Sequence, residues 1–177
     1  DTFTSLDKYC DKNRLSKQTA LHLSKVLLQF IDCSMFNEVM LRKELCTSGR
    51  AQTMKLNIAT LEQAANKLGG NNITPAQAVK MVYMKQVSSL LLMDKNLLVN
   101  EKNRLETVPS LTISQVNKIV SMYSCDEFET PISNTTFQTL SKLAAEEQQS
   151  KKPATNKQLA ADNNLLLNTR RIIPIAR

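Results

Sequence analysis

One histidine, four cysteines and three glycines set narrow limits on the chemistry open to these 177 residues. His22 could act as a general base only with a partner residue, and on an exposed helical turn it reads as a surface histidine. Cys10, Cys33, Cys46 and Cys125 form no CxxC pair, whereas a zinc site needs thiolates or imidazoles clustered at short spacing. Cys46 falls near the end of a helical pattern, where the helix dipole raises a thiol pKa and disfavours a nucleophile. A phosphate loop requires GxxxxGK[ST], which Gly49, Gly69 and Gly70 cannot supply. The carboxylates of Glu62 and Glu127 show no pairing pattern. The residues therefore suggest no catalytic, cofactor or metal site.

What remains is binding chemistry. The formal net charge of +7 suits an acidic protein partner, nucleic acid or an anionic membrane surface. Yet the basic residues are scattered in ones and twos, as at Arg42-Lys43, Lys151-Lys152 and Arg170-Arg171. Nucleic-acid binders concentrate them among aromatics. Solvated helix faces and an acidic docking surface are both open readings. The seven methionines fill a core or make an adaptable binding face. No run of about 18 apolar residues occurs, so no membrane span is expected. The start, Asp1-Thr2-Phe3, lacks the regions of a signal peptide and lacks Met, which reads as a fragment of a longer chain. Without a secretion signal, the sequons at Asn72 and Asn134 read as chance and the thiols as reduced in the cytosol.

Residues of these types are positioned by helices. Few glycines and prolines beside many unbranched side chains favour an all-α fold. From Ser16 to Leu45, apolar residues recur three and four apart at Leu23, Val26, Leu27, Phe30, Cys33, Met40, Leu41 and Leu45, the inner face of a long helix or of two in line. Asn37 falls near that face, bonding a neighbouring backbone or contacting a ligand. Thr47-Ser48-Gly49 breaks the helix, with Gly49 as a left-handed closing residue. Ile58, Leu61, Ala65 and Leu68 mark a short helix stopped by Gly69-Gly70. Thr74-Pro75-Ala76-Gln77 and Thr112-Ile113-Ser114-Gln115 are capping boxes. The first opens a helix through Val79, Tyr83, Val87 and Leu91, with a continuation past Leu97 left open, and the second one through Val116, Ile119 and Tyr123. Cys125 to Pro131 is a loop, with Phe128 buried and Glu127 holding it by backbone hydrogen bonds. A last helix begins at Ser133. These expectations give a bundle of about five or six helices over residues 1–145, a flexible link over 146–164 and an extended, docking apolar segment over 165–177.

Two ordered blocks resemble a known family. Met40-Leu41-Arg42-Lys43-Glu44-Leu45-Cys46 is followed eleven residues later by Asn57-Ile58-Ala59-Thr60-Leu61-Glu62. This is similar to the L-L-R-K-D-M-C and N-I-x-x-L-E motifs of the dilute domain, the core of the cargo-binding globular tail of class V and class XI myosins. Leu111 to Tyr123 and then Glu127-Phe128-Glu129 resemble the family's second block, and the match runs over about residues 26 to 140. Ser48 and Ala64 stand where the family has tryptophans, and Leu56 where it has an aromatic.

The resemblance implies a non-catalytic tail that recognises protein adaptors on vesicles or organelles, or Rab-type GTPases, in the cytoplasm and along actin. It implies a motor head and a dimerising coiled coil upstream, and a tail that can fold back on that head. Partner contacts are expected at Arg42, Lys43 and Lys55, the first two lying on the Arg-Lys of the motif. The alternative for Arg42 is an internal salt bridge or a helix cap. Two other functions stay open: a dilute-domain scaffold adaptor without a motor, and a basic helical nucleic-acid-binding module.

Overall fold

The computed structural model describes residues 2–70, 74, 77–127 and 129–150. Among them are seven α-helices: α1 (Thr2–Lys12), α2 (Lys17–Leu41), α3 (Ser48–Lys67), α4 (Tyr83–Leu92), α5 (Glu101–Thr107), α6 (Ile113–Met122) and α7 (Asn134–Ser150). Short 3₁₀ turns occupy Lys43–Leu45 and Lys95–Val99. The expected all-α bundle is the fold. α3 packs on α4 and α6 on α7, while α2 touches α1, α3, α4 and α6. Leu28, Ile58, Met84, Leu90, Leu98, Ile119 and Leu140 form one fully buried core, each side chain contributing roughly 1.5–3 kcal/mol.

Local signals explain several boundaries. Ser16 caps α2 by accepting from the Thr19 amide at 3.1 Å. Thr112 and Gln115 form the expected capping box of α6, each side chain accepting the other's backbone N–H. Gly70, at φ +80°, ends α3 in the left-handed conformation that favours glycine.

Elsewhere the structure departs from the sequence pattern. The inner face of α2 is Ala20, Ser24, Leu28, Asp32, Phe36 and Val39; Leu23, Val26, Phe30, Cys33 and Leu41 point to solvent. α2 carries apolar residues on two faces, so periodicity alone cannot choose between them, and the small Ala20 and Ser24 allow neighbours to approach. Asn37 is exposed. Gly49 does not close a helix: Thr47 accepts from the Arg50 amide and caps α3, placing Gly49 in its first turn. The break falls earlier, at Arg42, whose φ of −119° and ψ of 107° leave the helical region. Between 101 and 109, where the sequence analysis names no element, lies α5, capped by Asn100. α1 lies ahead of every expected element, and α7 runs to Ser150. The segment 165–177, the link beyond 150, Pro75 and Phe128 lie outside the described residues.

The largest departure concerns α4. Gln77 does reach back to the Thr74 amide at 3.1 Å, but only a turn follows and the helix starts at Tyr83. Its cap comes from another helix. Buried Asp32 of α2 accepts from the amides of Val82 (2.7 Å), Tyr83 (3.0 Å) and Met84 (2.8 Å). Two side chains of α3 hold the approach: Asn66 accepts from the Val79 amide at 2.8 Å and donates to its carbonyl at 3.1 Å. Glu62 accepts from the Met81 amide at 2.6 Å and pairs with Lys85 at 2.6 Å. Asp32→Ala strands three amide donors in or near the core and should cost about 3 kcal/mol, with Asp32→Asn costing about half of that. Urea unfolding followed by circular dichroism measures both, and wild-type stability in Asp32→Ala would remove Asp32 from this role.

Candidate functional site

The first motif block lies across the end of α2 and the start of α3, and its side chains border a groove. Met35, Val39, Leu45, Met54 and Met84 give the groove an apolar floor, and Glu38, Arg42, Arg50 and Asn57 lie along it. Its volume is about 440 Å³, within the range of sites that hold small ligands or anchoring side chains. Arg42 Nε donates to Glu38 Oε2 at 2.7 Å, one turn back on α2. Both partners are exposed, so the pair contributes at most about 0.5 kcal/mol. Arg50 makes no ion pair among the described residues and leaves the rim with uncompensated positive charge. Lys43 and Lys55 are exposed on the 3₁₀ turn and on α3, but neither lines the groove.

Of the expected contact residues, the structure thus brings Arg42 to the groove and adds Arg50. A signal for Arg50 existed in the sequence. It lies three residues after the capping Thr47, and so at the same end of the α2–α3 pair as Arg42.

The second motif block closes over the first. The Ser124 amide donates to the Cys46 carbonyl at 3.0 Å, and the Ser48 hydroxyl donates to Asp126 at 2.7 Å. Ser48, small where the family has tryptophan, therefore serves as a polar tie between blocks. Cys46 is fully buried; burial, aided by the Glu44 charge, raises its thiol pKa and keeps it protonated. Glu129, not Glu127, holds the loop. It accepts from the Tyr123 hydroxyl and from the Asp126 amide, while Glu127 is exposed. Lys95 lies buried beneath, its Nζ 3.6 Å from the centre of the Tyr123 ring and donating to the Leu91 carbonyl at 2.6 Å.

These contacts shift the titration of all three groups. Burial and then the bond to Glu129 push the Tyr123 hydroxyl above the usual tyrosine range. Burial lowers the Lys95 pKa against the opposing pull of Glu129 and neighbouring acidic groups. For Glu129, burial alone would raise the pKa, but bonds from Tyr123, the Asp126 amide and Ser48, with nearby Lys95, outweigh it and hold the carboxyl lower. His22 is exposed. No group of three or more His, Cys, Asp or Glu among the described residues could hold a metal ion, and no described helix is long and apolar enough to cross a membrane.

These features define a helical bundle with an apolar-floored groove beside α2 and α3. The chain belongs to the DIL domain family, whose model matches residues 22–127 and takes in both motif blocks. It is similar to the myosin-H heavy chain of Dictyostelium discoideum, 36% identical over 112 residues, or 62% of this chain and 6% of that protein. It is also similar to myosin-15 of Arabidopsis thaliana, 28% identical over 138 residues (71% of this chain, 8% of that protein). Human unconventional myosin-Vb is 29% identical over 122 residues, 68% of this chain and 6% of its own length. The chain thus spans less than a tenth of these relatives. The resemblance to the dilute domain of class V and class XI myosins is borne out.

The depressed Glu129 pKa fixes the sign of a pH effect. Its stabilisation is complete above about 4.3, where the unfolded carboxyl ionises, and is lost as pH falls through the lower folded value. Tyr123→Phe removes the first bond that lowers it, so the acid unfolding midpoint should move to higher pH, with about 1.5 kcal/mol lost near neutrality. Acid titration followed by circular dichroism would show this, and an unmoved midpoint would mean that the bond does not hold the loop.

Proposed function

We propose that this chain is the non-catalytic cargo-binding module of a myosin tail, and that the α2–α3 groove receives the partner. The groove itself carries the reading: a methionine-rich apolar floor beside the open charge of Arg50. Such a floor adapts to different apolar anchors, and the rim selects a partner with an acidic residue next to its anchor. Lys43 and Lys55, exposed nearby in the chain, would steer an acidic partner without touching the anchor. The partner is a protein adaptor on a vesicle or organelle, or a Rab-type GTPase, and the module works in the cytoplasm on actin-based cargo.

The distribution of cations supports a protein partner over nucleic acid. Lys17 faces Asp7 and Asp11, Arg42 faces Glu38, Lys85 faces Glu62 and Lys102 faces Glu106. These four cations are paired locally and the remaining ones are scattered, whereas a phosphate-binding face leaves its cations free in a stripe.

Two exposed substitutions test the groove. Thr53 also lines the groove, so Thr53→Arg should block it and Arg50→Glu should reverse its rim, each weakening partner affinity at least about tenfold, or about 1.4 kcal/mol, without lowering Tm. A fluorescent fusion of the chain would be scored for recruitment to organelles, then titrated with a panel of GTP-loaded Rab proteins and adaptor fragments. Lys43→Glu should slow association and weaken its salt dependence. Recruitment that survives both groove substitutions would place the partner surface elsewhere.

A further inference from the structure

A second hollow, sharing no residue with the groove, is bordered by α5, α6 and α7. Its volume is about 350 Å³, and Leu105, Val108, Val116 and Leu143 give it apolar walls. Arg104 of α5 lines it too, although the residue is only 8% exposed. Arg104 Nη1 donates to the carbonyls of Leu98 at 2.7 Å and Val99 at 2.9 Å. Its Nε is buried with no hydrogen-bond partner among the described residues, and no described carboxylate forms an ion pair with it. Glu101 and Glu147 also border the hollow but do not supply that carboxylate. Glu101 is exposed. Glu147 accepts from the Ser114 amide at 3.0 Å and its hydroxyl at 2.9 Å, tying α7 to the first turn of α6. A buried guanidinium without a counter-charge is costly, and a carboxylate seated against it relieves that cost through charge-assisted hydrogen bonds.

We infer that this hollow receives the chain's own continuation beyond α7, with Asp162 on Arg104 and Leu165-Leu166-Leu167 against the apolar walls. Charge selects this occupant first. Asp162 is the one acidic residue between 151 and 177, and it precedes the leucines by three residues. Arg170-Arg171 follow the leucines by three and find the opposite charge in Glu101. Carboxylate, apolar run and arginine pair thus complement guanidinium, apolar wall and exposed carboxylate. The tether is the second argument. Glu147, at the hollow, lies one helical turn before Ser150, where α7 ends. The twelve residues from 151 to 162 span up to about 40 Å when extended, ample to bring Asp162 back to Arg104. Tethering also holds the segment at an effective concentration on the order of millimolar, an advantage that a carboxylate on a separate molecule lacks.

The chain contains no tryptophan, so Leu166→Trp in the full 177-residue chain gives a single indole emission that reports on this segment. Its maximum should lie to the blue of a solvent-exposed indole and stay there on dilution. Asp162→Lys sets a like charge against Arg104. Leu105→Asp, at a wall position 60% exposed, sets a second carboxylate in the path of Asp162. Each should return the emission to the red with the circular dichroism of the bundle unchanged. Asp162→Glu, which keeps the charge, and Arg50→Glu, which alters only the groove, should leave it blue. Exposed emission from both Leu166→Trp and Leu165→Trp would overturn the inference. Blue emission indifferent to Asp162→Lys would overturn the pairing with Arg104. Emission that reddens on dilution would overturn docking within one chain and assign the segment to a second copy.

Discussion

Asp32 is the point on which the α2–α3–α4 half of the bundle depends. Its carboxylate accepts from the three amides that open α4, and those amides could not be left bare at a buried helix start without a cost of several kcal/mol. Because α2 supplies the cap, α4 cannot form in its native place before α2 has packed. Asn66 and Glu62 add the same dependence from α3, holding residues 79–81 by their backbone. The family motif's Glu62 therefore acts through architecture: it shapes the segment that leads into α4, and α4 delivers Met84 to the groove floor.

A similar economy joins the two motif blocks. They lie far apart in the chain yet meet through Ser124 on Cys46 and Ser48 on Asp126. The loop after α6 is then fixed by Tyr123 and Glu129 over a buried lysine. Lys95 is tolerated there because a carbonyl and an aromatic face receive its ammonium, and nearby acidic groups offset part of its desolvation. Glu62 and Glu129, which look like surface charges in the sequence, are thus joints. In the proposed reading, the side chains left for a partner are those the joints do not consume, above all Arg50 with the groove methionines.

α2 has two faces that follow from its composition. One face, with small residues and Asp32, packs against four neighbours. The other keeps Leu23, Val26 and Phe30 in solvent, where exposed apolar residues are common.

The sequence by itself determined the helical class, the capping box of α6, the glycine stop after α3 and the membership of the family, because each is written in neighbouring residues or in a fixed motif order. It also placed Arg42 at the end of the first long helix, where the structure has it. Only the tertiary structure decided which face of α2 turns inward, since both faces hold enough apolar residues for the periodic signal. It likewise decided that Thr74-Pro75-Ala76-Gln77 opens no long helix, and that α4 begins at Tyr83 under a cap from Asp32, fifty residues away from Val82. The groove was illegible for the same reason. Its floor draws on three helices and the 3₁₀ turn, and no local pattern shows that Met35, Met54 and Met84 converge until the long-range cap has set α4 in place.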